Sequence, residues 1–159
     1  MLEWLESSAV ARIVQESLWG YPIVLSSHAV GMAVLVGLAL MINFRLLGLA
    51  PKIPISALRP MFRIAWIGLV INVISGTMLF VANADAFFES TPFWLKIGLL
   101  VVGLTLLVKI MRQIPATRDP ALDFVPTPQL RSMAFLSSVA LFAVIIFGRL
   151  IAYWDWKDF

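Results

Sequence analysis

Four stretches of the chain are apolar for long enough to cross a lipid bilayer, and they leave little sequence for anything else. They are residues 22–44, 61–83, 93–113 and 130–153. A helix of about 20 residues spans the hydrocarbon core, because each residue advances it by about 1.5 Å. Hydrophobic residues make up 61% of the 159 residues and charged ones only 13%. The pattern predicts an all-α integral membrane protein, a single membrane domain over residues 1–159 built as a four-transmembrane-helix bundle.

The segments outside the four spans are short. Residues 1–20 predict an amphipathic helix lying on the membrane surface, with apolar residues at helical spacing at Leu2, Leu5, Ala9 and Ile13. Acidic side chains and the lack of a basic start distinguish this segment from a signal peptide. Prolines predict an irregular turn over 47–60, before the second span. Residues 83–92 predict a short link in which Ser90 or Thr91 caps the third span and Pro92 lies in its first turn.

The positive residues are distributed unequally between the two sides of the membrane. Eight lie on or beside the loops after the first and third spans: Arg45, Lys52, Arg59, Arg63, Lys109, Arg112, Arg118 and Arg131. Four lie on the other side: Arg12, Lys96, Arg149 and Lys157. Positive loops stay in the cytoplasm, so we expect a multi-pass protein of the bacterial inner (cytoplasmic) membrane with both termini in the periplasm.

Several classes of function lack support. The chain has no cysteine, which excludes disulfides, thiolate metal sites and cysteine-linked haem. It contains no HExxH motif, Walker loop or GxSxG, so hydrolase and nucleotide chemistry have no motif to carry them. Its net charge of +3 is explained by basic loops that face anionic membrane lipids, so the charge gives no reason to propose nucleic acid as a partner. Whether the protein is an enzyme stays open at this point.

Ionisable side chains meet at one depth in the spans. His28, the one histidine, lies about six residues inside the first span, or roughly 9 Å from its end. Lys96 lies in the first turn of the third span and Arg149 one turn before the end of the fourth, both on the same side of the membrane. Met78 lies in the same slab of the second span. Because ionisable groups at this depth usually face the bundle interior, we expect these residues to line one site.

Each of these residues has a structural interpretation and a functional one. His28 either forms a hydrogen bond across a helix interface, or ligates a haem iron, or contacts a quinone or a proton relay. Lys96 and Arg149 either extend to the lipid headgroups or hold an anionic group such as a haem propionate, a lipid phosphate or a substrate carboxylate. Met78 either fills space in the bundle or completes a His/Met axial pair.

Four short stretches carry a family resemblance. They are WGYPIVLSSHAVGMAVLVG in the first span, SGTMLF at 75–80, PFWLKIGLLVVGL at 92–104 and FGRLIAY at 147–153. The chain resembles a family of uncharacterised bacterial four-span membrane proteins. It is also distantly similar to the copper-resistance D-type proteins and the four-span protoporphyrinogen oxidase. The wider resemblance implies haem b and functional roles for His28 and Lys96, and the closer one adds Arg149.

Two functional hypotheses follow. In the first, the protein is redox-associated and binds haem b or a quinone in the periplasmic half of the bundle, with His28 as the metal ligand and Met78, Lys96 and Arg149 at the cofactor. In the second, it is a non-catalytic structural or accessory subunit of a homo-oligomer or a larger membrane complex. The layer of His28, Lys96 and Arg149 then binds membrane lipids or a partner helix.

Overall fold

The computed structural model describes residues 2–114, 124–151 and 153. Within this part of the chain every regular element is an α-helix: α1 Glu3–Glu6, α2 Ala9–Glu16, α3 Gly20–Leu47, α4 Ile55–Ala82, α5 Ala84–Glu89, α6 Thr91–Gln113 and α7 Pro128–Leu150. Four of them, α3, α4, α6 and α7, are long and apolar enough to cross a membrane. The fold is therefore the all-α bundle that the sequence predicts, and its composition is that of an integral membrane protein.

The second long helix starts earlier than expected. Helix α4 begins at Ile55 and continues through Pro60, whereas the prolines favoured an irregular turn up to residue 60. Proline inside a helix removes one main-chain hydrogen bond. Two neighbours favour the helix nonetheless, because Leu58 is buried in the core and the Arg59 guanidinium donates a hydrogen bond to the Ile114 carbonyl at 2.9 Å. Tertiary contacts thus extend α4 by about two turns beyond the predicted span.

The ends of α6 and α7 are close to those expected from the sequence. The link over 83–92 contains the six-residue helix α5, and Pro92 lies in the first turn of α6, as expected. Ser90 is the N-cap residue of α6, but its side chain does not make the predicted capping hydrogen bond. Thr127 caps α7, since its side chain accepts a hydrogen bond from the Leu130 N–H. The expected fourth span over 130–153 ends as a helix at Leu150.

The bundle is built by two pairs of helices that meet at glycines. Helix α3 packs against α4 and α7, and α7 packs against α6. A Cβ at Gly68 would lie 2.7 Å from the Leu35 main-chain nitrogen and 2.9 Å from the Gly31 carbonyl oxygen. The α3 and α4 backbones therefore touch at this crossing. Between α6 and α7, the Ser137 hydroxyl donates a hydrogen bond to the Gly103 carbonyl at 3.1 Å.

The N-terminal segment forms two helices and packs against the bundle. Ser8 caps α2 through a hydrogen bond from the Ala11 N–H, which breaks the segment between α1 and α2. This break changes the face that is covered, because Ala11 and Val14 are fully buried and Ile13 is exposed. The predicted apolar stripe over residues 2, 5, 9 and 13 is thus not the face that α2 packs on. The Gln15 side chain also donates to the Ala82 carbonyl at the end of α4.

Candidate functional site

A large cavity lies at the end of the bundle where α3 and α6 begin, α4 ends and α5 lies; we call this the α5 end. Its volume is about 1210 Å³, and α4 and α6 form opposite walls. Most of its lining is apolar, and the polar and ionisable side chains in it are Tyr21, His28, Asn72, Thr77, Asn83, Glu89, Ser90, Lys96 and Tyr153. A concave, mostly apolar space with a small number of convergent polar groups is typical of a ligand site.

His28 and Lys96 meet in the wall of this cavity. The Lys96 Nζ lies 3.4 Å from the His28 Nε2, and the Ser75 Oγ lies 3.1 Å from the His28 Nδ1. Both ionisable side chains are half-buried. Lys96 reaches His28 from α6, while Ser75 approaches from α4, so three helices contribute to one small polar cluster. The prediction that His28 and Lys96 share a site is consistent with this placement.

Two glycines make room for the pair. A Cβ at Gly76 would lie 3.0 Å from the His28 Cε1 and 3.4 Å from Nδ1, so the imidazole rests against the bare backbone of α4. A Cβ at Gly148 would lie 3.4–3.5 Å from the Cε, Cδ and Nζ atoms of Lys96. Gly148 in α7 thus leaves a shallow track for the lysine side chain. These glycines place the imidazole and the ammonium side by side.

Three aromatic rings form one wall of the cavity. Phe80 in α4, Phe87 in α5 and Phe93 in α6 contact one another, with ring centroids 5.4–6.4 Å apart. All three rings line the cavity. Such contacts stabilise the junction of three helices and offer a flat, polarisable surface to a ligand ring.

The cavity opens between the helices. Leu25 and Val73 line it, yet 44% of the Leu25 side chain and 57% of the Val73 side chain remain exposed. Both residues lie inside long apolar helices, α3 and α4, and not in the connecting loops. The lining of the cavity therefore includes residues on the outer surface of the apolar helices.

Neither Met78 nor Arg149 is among the residues that line the cavity. Met78 packs against the cluster that contains Val14, Val24 and Leu79 and is not itself among the residues that line the cavity. The exposed Arg149 donates a hydrogen bond to the Tyr153 hydroxyl at 2.6 Å, and its guanidinium lies 4.8 Å from the centre of that ring. Tyr153 lines the cavity, so this contact places the Arg149 guanidinium beside a residue of the lining.

Sequence reasoning did not find the aromatic wall or the partner of His28. Phe80, Phe87 and Phe93 belong to three elements, so no periodicity within one helix links them. Ser75 and Gly76 lie within an apolar span, where residues of these types ordinarily indicate packing and hydrogen bonding between helices. Their contact with His28 depends on the rotation of α4 against α3, and a sequence alone carries no signal for that rotation.

The ionisable side chains that line the cavity include the His28 imidazole, the Lys96 ammonium and the Glu89 carboxylate. Within residues 2–114, 124–151 and 153, no group of three or more His, Cys, Asp or Glu side chains is placed to hold a metal ion. A macrocycle that supplies most of its own ligands needs only one imidazole from the protein. The lysine offers hydrogen bonds to a carboxylate or a carbonyl oxygen.

Comparison of the chain with models of protein families, with curated proteins and with solved structures finds no match in any of the three.

Proposed function

We propose that the protein binds an amphiphilic redox cofactor, haem b or alternatively a quinone, in the cavity at the α5 end, with His28 as the protein ligand. One observation carries the proposal: the His28 Nε2 and the Lys96 Nζ lie 3.4 Å apart in the wall of a mostly apolar cavity of about 1210 Å³. Haem supplies one-electron transfer when bound.

The cavity fits a large amphiphile better than a small ligand. Sites for drug-sized molecules have volumes of roughly 300–1,000 Å³, and this one is larger. The aromatic wall of Phe80, Phe87 and Phe93 suits a planar ring system. The lateral opening beside Leu25 and Val73 suits a ligand delivered through lipid.

Two side chains would hold the cofactor. His28 would ligate haem iron through Nε2, provided that the Lys96 ammonium turns away from that nitrogen. Lys96 would then provide the cation for a propionate or the donor for a quinone carbonyl. Met78 does not reach this site, so it offers no second axial ligand in this arrangement. Haem would have His28 as its protein ligand among the residues that the structure describes.

A second candidate is an accessory role in which lipid occupies the cavity. The exposed fractions of Leu25 and Val73 favour it, because an acyl chain could lie along the same lateral opening. Lys96 would then contact a headgroup oxygen, and the protein would act as a subunit of an oligomer or a larger complex. Native mass spectrometry in mild detergent distinguishes this role by showing bound phospholipid or partner chains in place of a cofactor.

Absorption spectroscopy of protein purified from haem-replete cells tests the proposal. We expect a Soret band in the wild type that His28→Ala removes and that Lys96→Met weakens. Met78→Leu is the matched control, since Met78 packs outside the cavity, and we expect it to keep the band. Extraction and chromatography of bound lipids tests for a quinone in the same sample. A preparation that contains neither haem nor quinone overturns the proposal.

A further inference from the structure

We infer that Ser75 is a positioning residue that holds the proton of the neutral His28 imidazole on Nδ1 and thereby keeps Nε2 as a hydrogen-bond acceptor facing Lys96 and the cavity. The assignment rests on hydrogen bonds within the protein. Its meaning for a bound cofactor rests on the proposed function, because a nitrogen without a proton is the one that can ligate iron.

The hydrogen bonds of Ser75 assign one end of the imidazole. The Ser75 hydroxyl lies 2.7 Å from the Ile71 carbonyl oxygen and 3.4 Å from the Asn72 carbonyl oxygen. A hydroxyl has one proton to donate, and a carbonyl can only accept, so the shorter contact takes that proton. The Ser75 Oγ is then an acceptor at 3.1 Å from the His28 Nδ1, which must carry a proton to donate.

The contact with Lys96 assigns the other end independently. An ammonium group donates hydrogen bonds and cannot accept them. Since the Lys96 Nζ lies 3.4 Å from the His28 Nε2, that nitrogen presents its lone pair. Both neighbours thus require the same neutral tautomer, with the proton on Nδ1 and Nε2 free of one.

Contacts between α3 and α4 keep Ser75 in register with His28. The side-chain amide nitrogen of Asn72 donates a hydrogen bond to the His28 carbonyl oxygen at 3.4 Å. Asn72 lies one helical turn before Ser75 on the buried face of α4. Gly76 leaves the imidazole against the α4 backbone. The tautomer selects among ligands, because Nε2 can ligate a metal or accept from an O–H group but cannot donate to a carbonyl. A quinone carbonyl would therefore be bound by Lys96.

Nuclear magnetic resonance of the imidazole nitrogens tests the inference on cofactor-free protein in lipid nanodiscs. His28 is the one histidine in the chain, so isotope labelling of histidine yields a single imidazole. At a pH where the ring is neutral, we expect the wild type to carry its proton on Nδ1. Because the Lys96 ammonium also favours a lone pair on Nε2, the role of Ser75 is tested in the Lys96→Met background. There we expect the single tautomer to persist with Ser75 or Ser75→Thr, and to be lost with Ser75→Ala in favour of a proton on Nε2 or an exchanging mixture.

Ser138→Ala is the matched control. Ser138 is buried like Ser75, and its hydroxyl makes the same local hydrogen bond, to the Ala134 carbonyl at 2.8 Å, but in α7. We expect this variant to keep the wild-type tautomer, as should Lys96→Met. A wild-type proton on Nε2, or an unchanged tautomer in the folded double variant Ser75→Ala/Lys96→Met, overturns the inference. Because the sample contains no cofactor, this outcome is separate from the absorption test of the proposed function.

Discussion

Buried polar side chains inside the spans differ in whether neighbouring helices provide hydrogen-bond partners for them. Asn72 and Asn43 are both buried, and both lie within long apolar helices. The Asn72 amide donates to the His28 carbonyl at 3.4 Å, and Asn72 also lines the cavity. In the described part of the chain, neither polar atom of the Asn43 side chain has a hydrogen-bond partner. A polar residue in a span therefore marks a site only when neighbouring helices bring other polar groups to it.

Asp85 is the carboxylate that ties the N-terminal segment to α5. Its Oδ1 accepts a hydrogen bond from the Leu2 main-chain N–H at 3.0 Å, and its own N–H donates to the Glu6 carboxylate at 3.2 Å. The hydrogen bond from Leu2 lowers the pKa of Asp85 below its ordinary value of 3.8. The charged form is thus the one that the folded protein favours.

Replacing this carboxylate should destabilise the protein in a pH-dependent manner. A depressed pKa contributes stability above the unfolded value of 3.8, and the contribution is lost as the pH falls through the lower folded value. We expect Asp85→Ala to lower the midpoint of thermal unfolding at neutral pH, and the difference from wild type to shrink in acid. Glu16→Ala, at an exposed position at the end of α2, is the control. An equal effect of the two variants, or a difference that persists in acid, would contradict this role of Asp85.

The α3–α4 crossing is the element-scale contact that sets the position of His28. Gly31 and Gly68 bring the two backbones into contact, and His28 lies one turn from Gly31 on α3. Because the helices touch there, Ser75 and Gly76 are close enough to contact the imidazole. A wider crossing would separate the hydroxyl from the ring.

Adding a methyl group at this crossing should therefore destabilise the bundle. Gly68→Ala would place a Cβ 2.7 Å from the main-chain nitrogen of Leu35, and backbone atoms have little freedom to move. We expect a loss of about 1–3 kcal/mol in the free energy of unfolding. Gly37→Ala is the matched control in α3, where a Cβ would contact nothing within 4 Å. There we expect no loss, or a gain of up to about 1 kcal/mol from helix propensity. Unfolding in detergent mixtures measures both values, and equal stabilities would refute the close crossing.

The long helices could be predicted from sequence because length and apolar content alone determine which segments can span a bilayer. Residues 22–44 and 93–113 lie wholly within α3 and α6. The early start of α4 could not be predicted, since it depends on the contact between Arg59 and Ile114, 55 residues apart in the chain. Helix α5 has six residues, too few to show a helical period. Local patterns therefore predicted the spans, and tertiary contacts determined their ends.

At the scale of the whole molecule, the two ends of the bundle are packed differently. A continuous core of buried side chains fills the end that contains Ile42, Leu58, Ile110 and Leu130. The α5 end holds the cavity instead. The positions of His28 and Lys96 along their spans predict that both lie at the same depth, and this part of the site could be predicted from sequence. The direction in which each helix faces could not, so Arg149 and Met78 were assigned to a pocket that they do not line.

The orientation of these two ends in the membrane can be tested directly. Positive residues favour a cytoplasmic location for the end that carries the α3–α4 turn. Some of them also serve the fold, however: Arg45 donates to the Ile53 carbonyl and Arg59 to the Ile114 carbonyl. Part of the charge bias at this end therefore has a structural cause, so only a measurement can decide the topology.

Single cysteines suit this measurement, because the chain contains none of its own. Ser17→Cys lies at the exposed end of α2, and Leu49→Cys replaces a side chain that is 71% exposed in the α3–α4 turn. We expect a membrane-impermeant maleimide to label Ser17→Cys in spheroplasts and Leu49→Cys only after lysis. That result would place the cavity in the periplasmic half of the membrane, where any redox partner must reach it from that side. The reverse pattern would place the cavity in the cytoplasmic half, and labelling of both positions in spheroplasts would show that the chain inserts in two orientations.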